Sequence, residues 1–337
     1  KMAFPFDSKK VQVIAEACDN HMGCLDTAFE MCRLAKLAGA DFIKFQHHLA
    51  DEEMLAETPM SDNFDEPLYD FLKKNALSLD DHIRLKKFCE EIGINYLCTP
   101  FSAKAAEELA GIGVTMFKIG SGELRDLPTL KKISKLGLPM ILSTGMSTLD
   151  EIKDTAQFLN DQGAEFSFLN CVSEYPPKYE EMNIGFITSL KESFPDLIIG
   201  HSDHSPDLYT TFAAVALGAR IVEKHVILDK KTPGPDQSVS IDFHELAQLV
   251  DGVRKIELSL GSSKIIQPKE IAIREWAYRS VIAVRDMAAG TILQETDLTT
   301  KRPGTGIPAT ELFDLVGKEL KRPVKGNSML AWEDLTL

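Results

Sequence analysis

DLIIGHSDHSPDLYTTFAAVALGARIVEKHVIL, residues 196–228, contains two β-branched apolar runs separated by a helix-length segment that ends at Gly218. The first run, DLIIGHSD (196–203), leads into His204, and the second, RIVEKHVIL (220–228), carries Glu223 and His225. Nearly continuous hydrophobicity in both runs, with a helical crossover between them, is the pattern of parallel strands buried on both faces. The polar residues collect toward the C-terminal end of each run. A charged group in such a place must be paired or used.

The same design recurs upstream. VQVIAEA (11–17) carries Glu16, DFIKFQ (41–46) carries Lys44 and Gln46, and INYLCTP (94–100) carries Thr99. MFKIGS (116–121) carries Lys118 and Ser121, PMILST (139–144) carries Ser143, FSFLNCV (166–172) carries Asn170, and run 196–203 adds Ser202. Eight such runs, with polar ends that must converge, predict an α/β fold: a (β/α)8 TIM barrel with its chemistry at the C-terminal mouth. Glycines in LAGAD, EIGIN, GIGV and ALGAR fall just before strands 2, 3, 4 and 8, where a helix C-cap belongs. The connection after strand 2, about 47–66 and running through Asn63 toward Pro67, is long enough to serve as a substrate lid. A helix over 242–260 ends at Gly261 and closes the barrel domain, 1–261.

A linker is expected over 262–275, followed by a small β-rich domain, 276–337, with short strands and a Gly turn in SVIAVRDMAAGTILQETDLTTKRPG (280–304). So small a unit should have little core of its own and should pack against a barrel, its own or a partner's.

The 337 residues are 44% apolar and 26% charged, with a formal net charge of −14. That excess of acid argues against general nucleic-acid or membrane-surface binding, so an anionic substrate needs a local cluster of lysines and arginines. The six cysteines form no C-x-x-C pair and read as buried, reduced thiols. The absence of a signal-like segment or a long apolar span points to the cytoplasm.

His204 and His225, ending neighbouring strands, are candidate ligands of one metal ion such as Mn, Zn or Fe, with Asp203 and Glu223 as supports. The alternative for each is a structural histidine. Lys44 and Lys118 sit inside apolar runs and, with Ser121, Ser143 and Ser202, form a lysine–serine ring suited to a phosphate and a carboxylate. Glu16 and Glu123 are candidates for proton transfer or for sugar hydroxyls, or else salt-bridge partners of the barrel lysines. Asp236 in TPGPDQS (232–238) either contacts a polyol or lies on a surface turn; Arg302 in KRPGTG (301–306) is either functional or a solvated basic turn.

These motifs resemble those of bacterial N-acetylneuraminate (sialic acid) synthases over the whole chain: AEACDNHMG, IKFQ, TPF, FKIGSGE, LSTGM, NCVSEYP, HSDH, EKH and PGPD in the barrel. The KRPG turn is similar to that of the antifreeze-like (SAF) domain which follows the barrel in those enzymes. The resemblance implies a transferase that condenses phosphoenolpyruvate with N-acetylmannosamine and water. It implies His204 and His225 on a divalent metal, usually Mn²⁺ with Mg²⁺ or Co²⁺ as substitutes. Lys44, Thr99, Lys118, Ser121, Ser143 and Ser202 would surround phosphoenolpyruvate, with Glu16 and Glu123 handling protons. Gln46, Asn63, Tyr175 and Asp236 would contact the sugar; Asn63 aligns only with a small gap. Arg302 would enter the partner's active site in a domain-swapped homodimer.

The closest alternative is the same chemistry on another 2-acetamido or 2,4-diacetamido sugar, giving legionaminic or pseudaminic acid. A non-catalytic barrel predicts decay of the lysines or histidines, which are intact. A metal-dependent aldolase or phosphosugar isomerase would leave the second domain without a purpose.

Overall fold

The structure, a computed structural model, describes residues 9–336. Two compact units divide after Gly261.

The first unit contains eight parallel strands: β1 (Gln12–Glu16), β2 (Phe42–His47), β3 (Asn95–Pro100), β4 (Phe117–Ile119), β5 (Met140–Ser143), β6 (Phe166–Cys171), β7 (Ile199–Asp203) and β8 (Ile221–His225). Their hydrogen-bonded order is β3-β2-β1-β8-β7-β6-β5-β4, and β3 and β4 lie side by side to complete the ring. Helices alternate with the strands, as a (β/α)8 barrel requires. Their starts are written locally: Ser78 with Asp81, Thr148 with Glu151 and Asp242 with Glu245 form reciprocal capping boxes. Their ends are too: Gly39 (φ 87°) and Gly93 (φ 76°) take the left-handed conformation that stops the helices before β2 and β3.

Strand alternation explains where the site lies. Ile14, Phe42, Leu97, Met116, Ile141, Leu169 and Ile221 pack together as an apolar plug inside the barrel. Side chains on one face of a strand recur every second residue. Two residues beyond each plug residue, in order, stand Glu16, Lys44, Thr99, Lys118, Ser143, Cys171 and Glu223. The seven apolar residues therefore floor the barrel, and the next layer toward the C-terminal mouth is polar. On β7 the plug position is Gly200, where a Cβ would come within 2.4 Å of the Ile221 carbonyl oxygen and 2.5 Å of Leu169 Cδ2; Ser202 follows it in the polar layer. Outward-facing residues such as Val13, Phe45, Phe117 and Phe168 join the helices in the larger core.

The connection after β2 is long, as expected, and begins with a single helical turn, Ala50–Glu53. A small cluster of Ala50, Phe71 and Leu72, backed by Met54 and Phe64, pins it.

The second unit has strands β9 (Ser280–Ala283), β10 (Leu298–Lys301) and β11 (Ser328–Met329), antiparallel in the order β10-β9-β11. Two expectations need correction here. The stretch read as a linker contains a helix, Pro268–Ala277, started by Pro268 and by Glu270 accepting from the Gln267 amide. The unit also has a core of its own, which includes Val281, Leu293, Leu315, Leu320 and Leu330, rather than little. Those apolar residues come from short strands and turns, so no periodic run announces them.

Candidate active site at the barrel mouth

The polar layer is one connected network. Lys44 Nζ contacts the Glu16 carboxylate, donates to Thr99 Oγ1 at 2.9 Å and lies 3.6 Å from Glu223 Oε2. Lys118 Nζ donates to Ser143 Oγ at 2.8 Å and lies 3.6 Å from Glu223 Oε1, which also accepts from Ser202 Oγ at 2.8 Å. Strand register produces this: Glu16 stands opposite Lys44, and Ser202 opposite Glu223. Lys44 and Lys118 are each only 3% exposed, so neither is a solvated surface lysine. Ser121 lies at the rim, where its Oγ accepts from the Gly145 amide at 3.0 Å.

Burial and pairing compete in this layer. Burial raises the Glu16 carboxyl and, against Lys44 and with Glu223 adding, leaves it at about 7. Burial also opposes the charge on Lys44, but Glu16 and Glu223 outweigh it and Lys44 holds its proton more tightly than usual. Glu223 likewise resists burial, because Lys118 and Lys44 hold it down at about 2. At Lys118 burial prevails over Glu223 and the proton is held less tightly than usual. Two lysines and two carboxylates thus face one another, with one carboxylate poised to take or give a proton near neutral pH.

The two histidines converge: their ring centroids lie 5.2 Å apart, and the Tyr175 ring packs 4.3 Å from His204. His204 Nδ1 donates to the Val172 carbonyl at 2.7 Å, so Nε2 is the nitrogen left to face a ligand; burial opposes a charge on the ring, but Cys171 and that carbonyl raise it to about 9, so an ion on Nε2 would displace a proton. His225 Nδ1 is buried without a hydrogen-bond partner. Cys18, His225 and Asp236 form a buried group whose ligand atoms all lie within 4.8 Å of one another, so Asp236 stands beside the histidines and not on a surface turn. The expected supports differ. Asp203 accepts from His201 at 2.9 Å and from Lys224 at 2.8 Å, on the outward side of the barrel, while Glu223 serves the lysines. The outward turn of Asp203 follows from its odd position relative to Ser202.

Above the ring, Gln46 Nε2 reaches Glu16 Oε1 at 3.3 Å, and Asn63 Nδ2 donates to the Pro235 carbonyl at 3.3 Å, tying the lid to the loop after β8. Burial raises the Glu123 carboxyl to about 7, with Glu53 adding. A cavity of about 900 Å³ runs along the β5 and β6 ends, with Thr144, Asn170 and Cys171 among its walls. Neither Lys44 nor Lys118 is among its walls. Asn170 is buried and donates to His201 Nδ1 at 3.4 Å. Arg302, in the second unit, is exposed, donates from Nε to the Ala277 carbonyl at 3.1 Å and lies over the Trp276 ring.

Sequence reasoning passed over Glu223 as an anchor of the lysines, although its two-residue step from His225 was the signal. It also passed over Cys18, taken only as a buried thiol, and His48 with Glu53, whose ring nitrogen and carboxylate lie 2.7 Å apart. Five cysteines are indeed buried and all six are free; Cys24 is exposed. No helix of the described residues is long and apolar enough to cross a membrane.

Comparison with known proteins identifies the family and the fold. The N-acetylneuraminate-9-phosphate synthase of Homo sapiens is 37% identical over 315 residues, covering 91% of this chain and 88% of that protein. The N,N'-diacetyllegionaminic acid synthase of Campylobacter jejuni is 36% identical over 96% of this chain and 99% of its own. The crystal structure of N-acetylneuraminic acid (sialic acid) synthetase from Leptospira borgpetersenii, in complex with citrate, superposes with a TM-score of 0.71 at 32% identity, covering 79% of this chain and 90% of that one. The SAF domain model matches residues 278–336 and the NeuB family model residues 31–265. The chain therefore belongs to the NeuB family, with a (β/α)8 barrel followed by a SAF domain.

Proposed function

We propose that this protein is an N-acetylneuraminate synthase, a transferase that joins phosphoenolpyruvate, N-acetylmannosamine and water to give N-acetylneuraminate and phosphate. The observation that carries the reading is the network of Lys44, Thr99, Lys118, Ser143 and Ser202, placed beside two convergent imidazoles. Lysine ammonium groups and hydroxyls are the donors that a phosphate and a carboxylate require.

The donor set fits a divalent ion, proposed as Mn²⁺, on His204 and His225: one presents Nε2 and the other has an unpartnered buried nitrogen. When bound, the ion would supply polarisation of the acceptor aldehyde. Lys44 and Lys118 hold the phosphoenolpyruvate so that its C3 faces that carbon, and the carbon–carbon bond forms as the aldehyde oxygen takes a proton. Water adds at C2 and loses its proton to Glu16, whose carboxyl at about 7 suits the task. The tetrahedral carbon then expels phosphate by C–O cleavage, leaving the C2 ketone. The lysines and the serine hydroxyls stabilise the charge that collects on the leaving oxygens. Glu123 orients the sugar, with Gln46, Asn63, Tyr175 and Asp236 as its contacts. Arg302 is proposed to act in the partner's site of a cytoplasmic homodimer.

The identity to a diacetyllegionaminic acid synthase over 96% of the chain favours a second reading, the same chemistry on a different 2-acetamido or 2,4-diacetamido sugar to give legionaminic or pseudaminic acid. Phosphate release from phosphoenolpyruvate with Mn²⁺ across a panel of amino sugars tests both. Release with N-acetylmannosamine supports the first reading, release only with 6-deoxy-diacetamido sugars the second, and none with any sugar refutes both. For Arg302, mixing Arg302→Ala subunits with Lys118→Met subunits should restore part of the activity if the arginine serves its partner.

A further inference from the structure

His48 follows β2 and is buried, with its ring stacked on Phe101 at 4.2 Å between centroids. Its Nδ1 lies 2.7 Å from Glu53 Oε1 and its Nε2 2.9 Å from Gln46 Oε1. Glu53 ends the helical turn Ala50–Glu53 at the root of the lid and also accepts from the Leu49 amide at 3.2 Å. The Gln46 amide is oriented from its other side, where Nε2 donates to Glu16. Both groups facing His48 are therefore acceptors, and both ring nitrogens must donate.

We infer that His48 is a positioning residue, an imidazolium that locks the root of the lid to the Gln46 amide so that lid closure and the grip on the acceptor sugar are set together. The inference rests on the reading of Gln46 as a sugar contact. A neutral ring can donate to only one of its two partners, so loss of the second proton frees either the lid or the amide. The surroundings favour the charged ring: burial opposes it, but Glu53, Asp19 and Glu123 raise its hold on the proton. Asp236 also faces it, and His21 and His82 on its other sides are kept neutral, burial lowering them to about 4 and about 3.

The test uses the full chain and two variants. His48→Phe keeps the stacking and removes both hydrogen bonds; His48→Gln keeps one donor group. In His48→Phe, hydrogen-exchange protection of the amides at 49–54 should fall about tenfold, the size expected for a lost charged hydrogen bond, while helix Phe243–Ser259 is unchanged. The KM for the amino sugar should rise about tenfold with the KM for phosphoenolpyruvate within about twofold, and His48→Gln should recover part of both effects. Wild-type lid protection should fall as pH rises past the ordinary histidine range, and the Phe variant should lack that step. Unchanged lid protection, or equal rises in both KM values, overturns the inference. If the wild type turned over no amino sugar, the functional reading would fail, yet lid protection would still decide whether His48 holds the lid.

Discussion

Replacing Lys118 with methionine removes one charge from the barrel axis and leaves a side chain of similar length over Met116 and Ile141. The Glu223 carboxylate then loses a partner at 3.6 Å and keeps Ser202 at 2.8 Å and Lys44 at 3.6 Å. Glu223 is held at about 2 against an ordinary value of 4.5, and 1.36 kcal/mol per pKa unit puts the effect on the order of 3 kcal/mol. Lys118 is the largest opposing charge, so a sizeable share of that should vanish, offset in part because the variant no longer buries the Lys118 ammonium, whose proton is held less tightly than usual. The sign is fixed by the direction of the shift. A carboxyl depressed in the folded protein stabilises it above the ordinary value of 4.5, and the contribution fades as pH falls through about 2. In Lys118→Met less of that contribution exists to be lost, so the deficit in melting temperature should be full above pH 5 and narrow as pH falls below 4.5. Adding Glu223→Gln removes the stranded charge and should recover most of the loss, because a buried pair replaced as a whole costs little. Activity should follow a different course. Both variants should lose about a hundredfold or more in kcat/KM for phosphoenolpyruvate, since a charge-assisted contact to the phosphate is missing in each. Melting curves between pH 4 and 8 and phosphate-release kinetics read the two effects separately. A single variant as stable as the wild type at pH 7 would refute the pairing, and an unchanged kcat/KM would refute the anion site.

Glu16→Gln should lower kcat by about a hundredfold to ten-thousandfold and erase any limb of the pH–rate profile centred near 7, the value at which Glu16 titrates; a limb that survives assigns the proton to another group. Gly200→Ala should destabilise the barrel by roughly 1–3 kcal/mol, seen in urea unfolding, because its Cβ would press on the Ile221 carbonyl and Leu169. Removing divalent metal with a chelator, or making His225→Ala, should abolish phosphate release while the far-ultraviolet dichroism stays unchanged; activity without metal would end the assignment of His204 and His225.

Much of this architecture was legible because the barrel repeats one device. Each strand is an apolar run whose plug residue, Ile14 or Phe42 for example, is followed two positions later by a polar one, Glu16 or Lys44. That alternation shows in sequence without knowledge of the packing. What stayed hidden depends on which strand ends meet. Glu223 looked like a companion of His225, but the register of β7 against β8 sets it opposite Ser202 and between the two lysines. Asp203 looked the same and instead faces outward to His201 and Lys224. The helix Pro268–Ala277 escaped because it has no buried face, so hydrophobic periodicity had nothing to report; only its Pro268 start and the Gln267–Glu270 cap marked it.

The central claim is that the polar layer holds phosphoenolpyruvate for attack at C3 and loss of phosphate from C2. Phosphoenolpyruvate labelled with ¹⁸O at the bridging oxygen, turned over with Mn²⁺ and the preferred amino sugar, tests it by mass spectrometry of both products. The account predicts the label in the released phosphate and none at C2 of the sugar acid. Label retained in the sugar acid, or no phosphate formed at all, would contradict it.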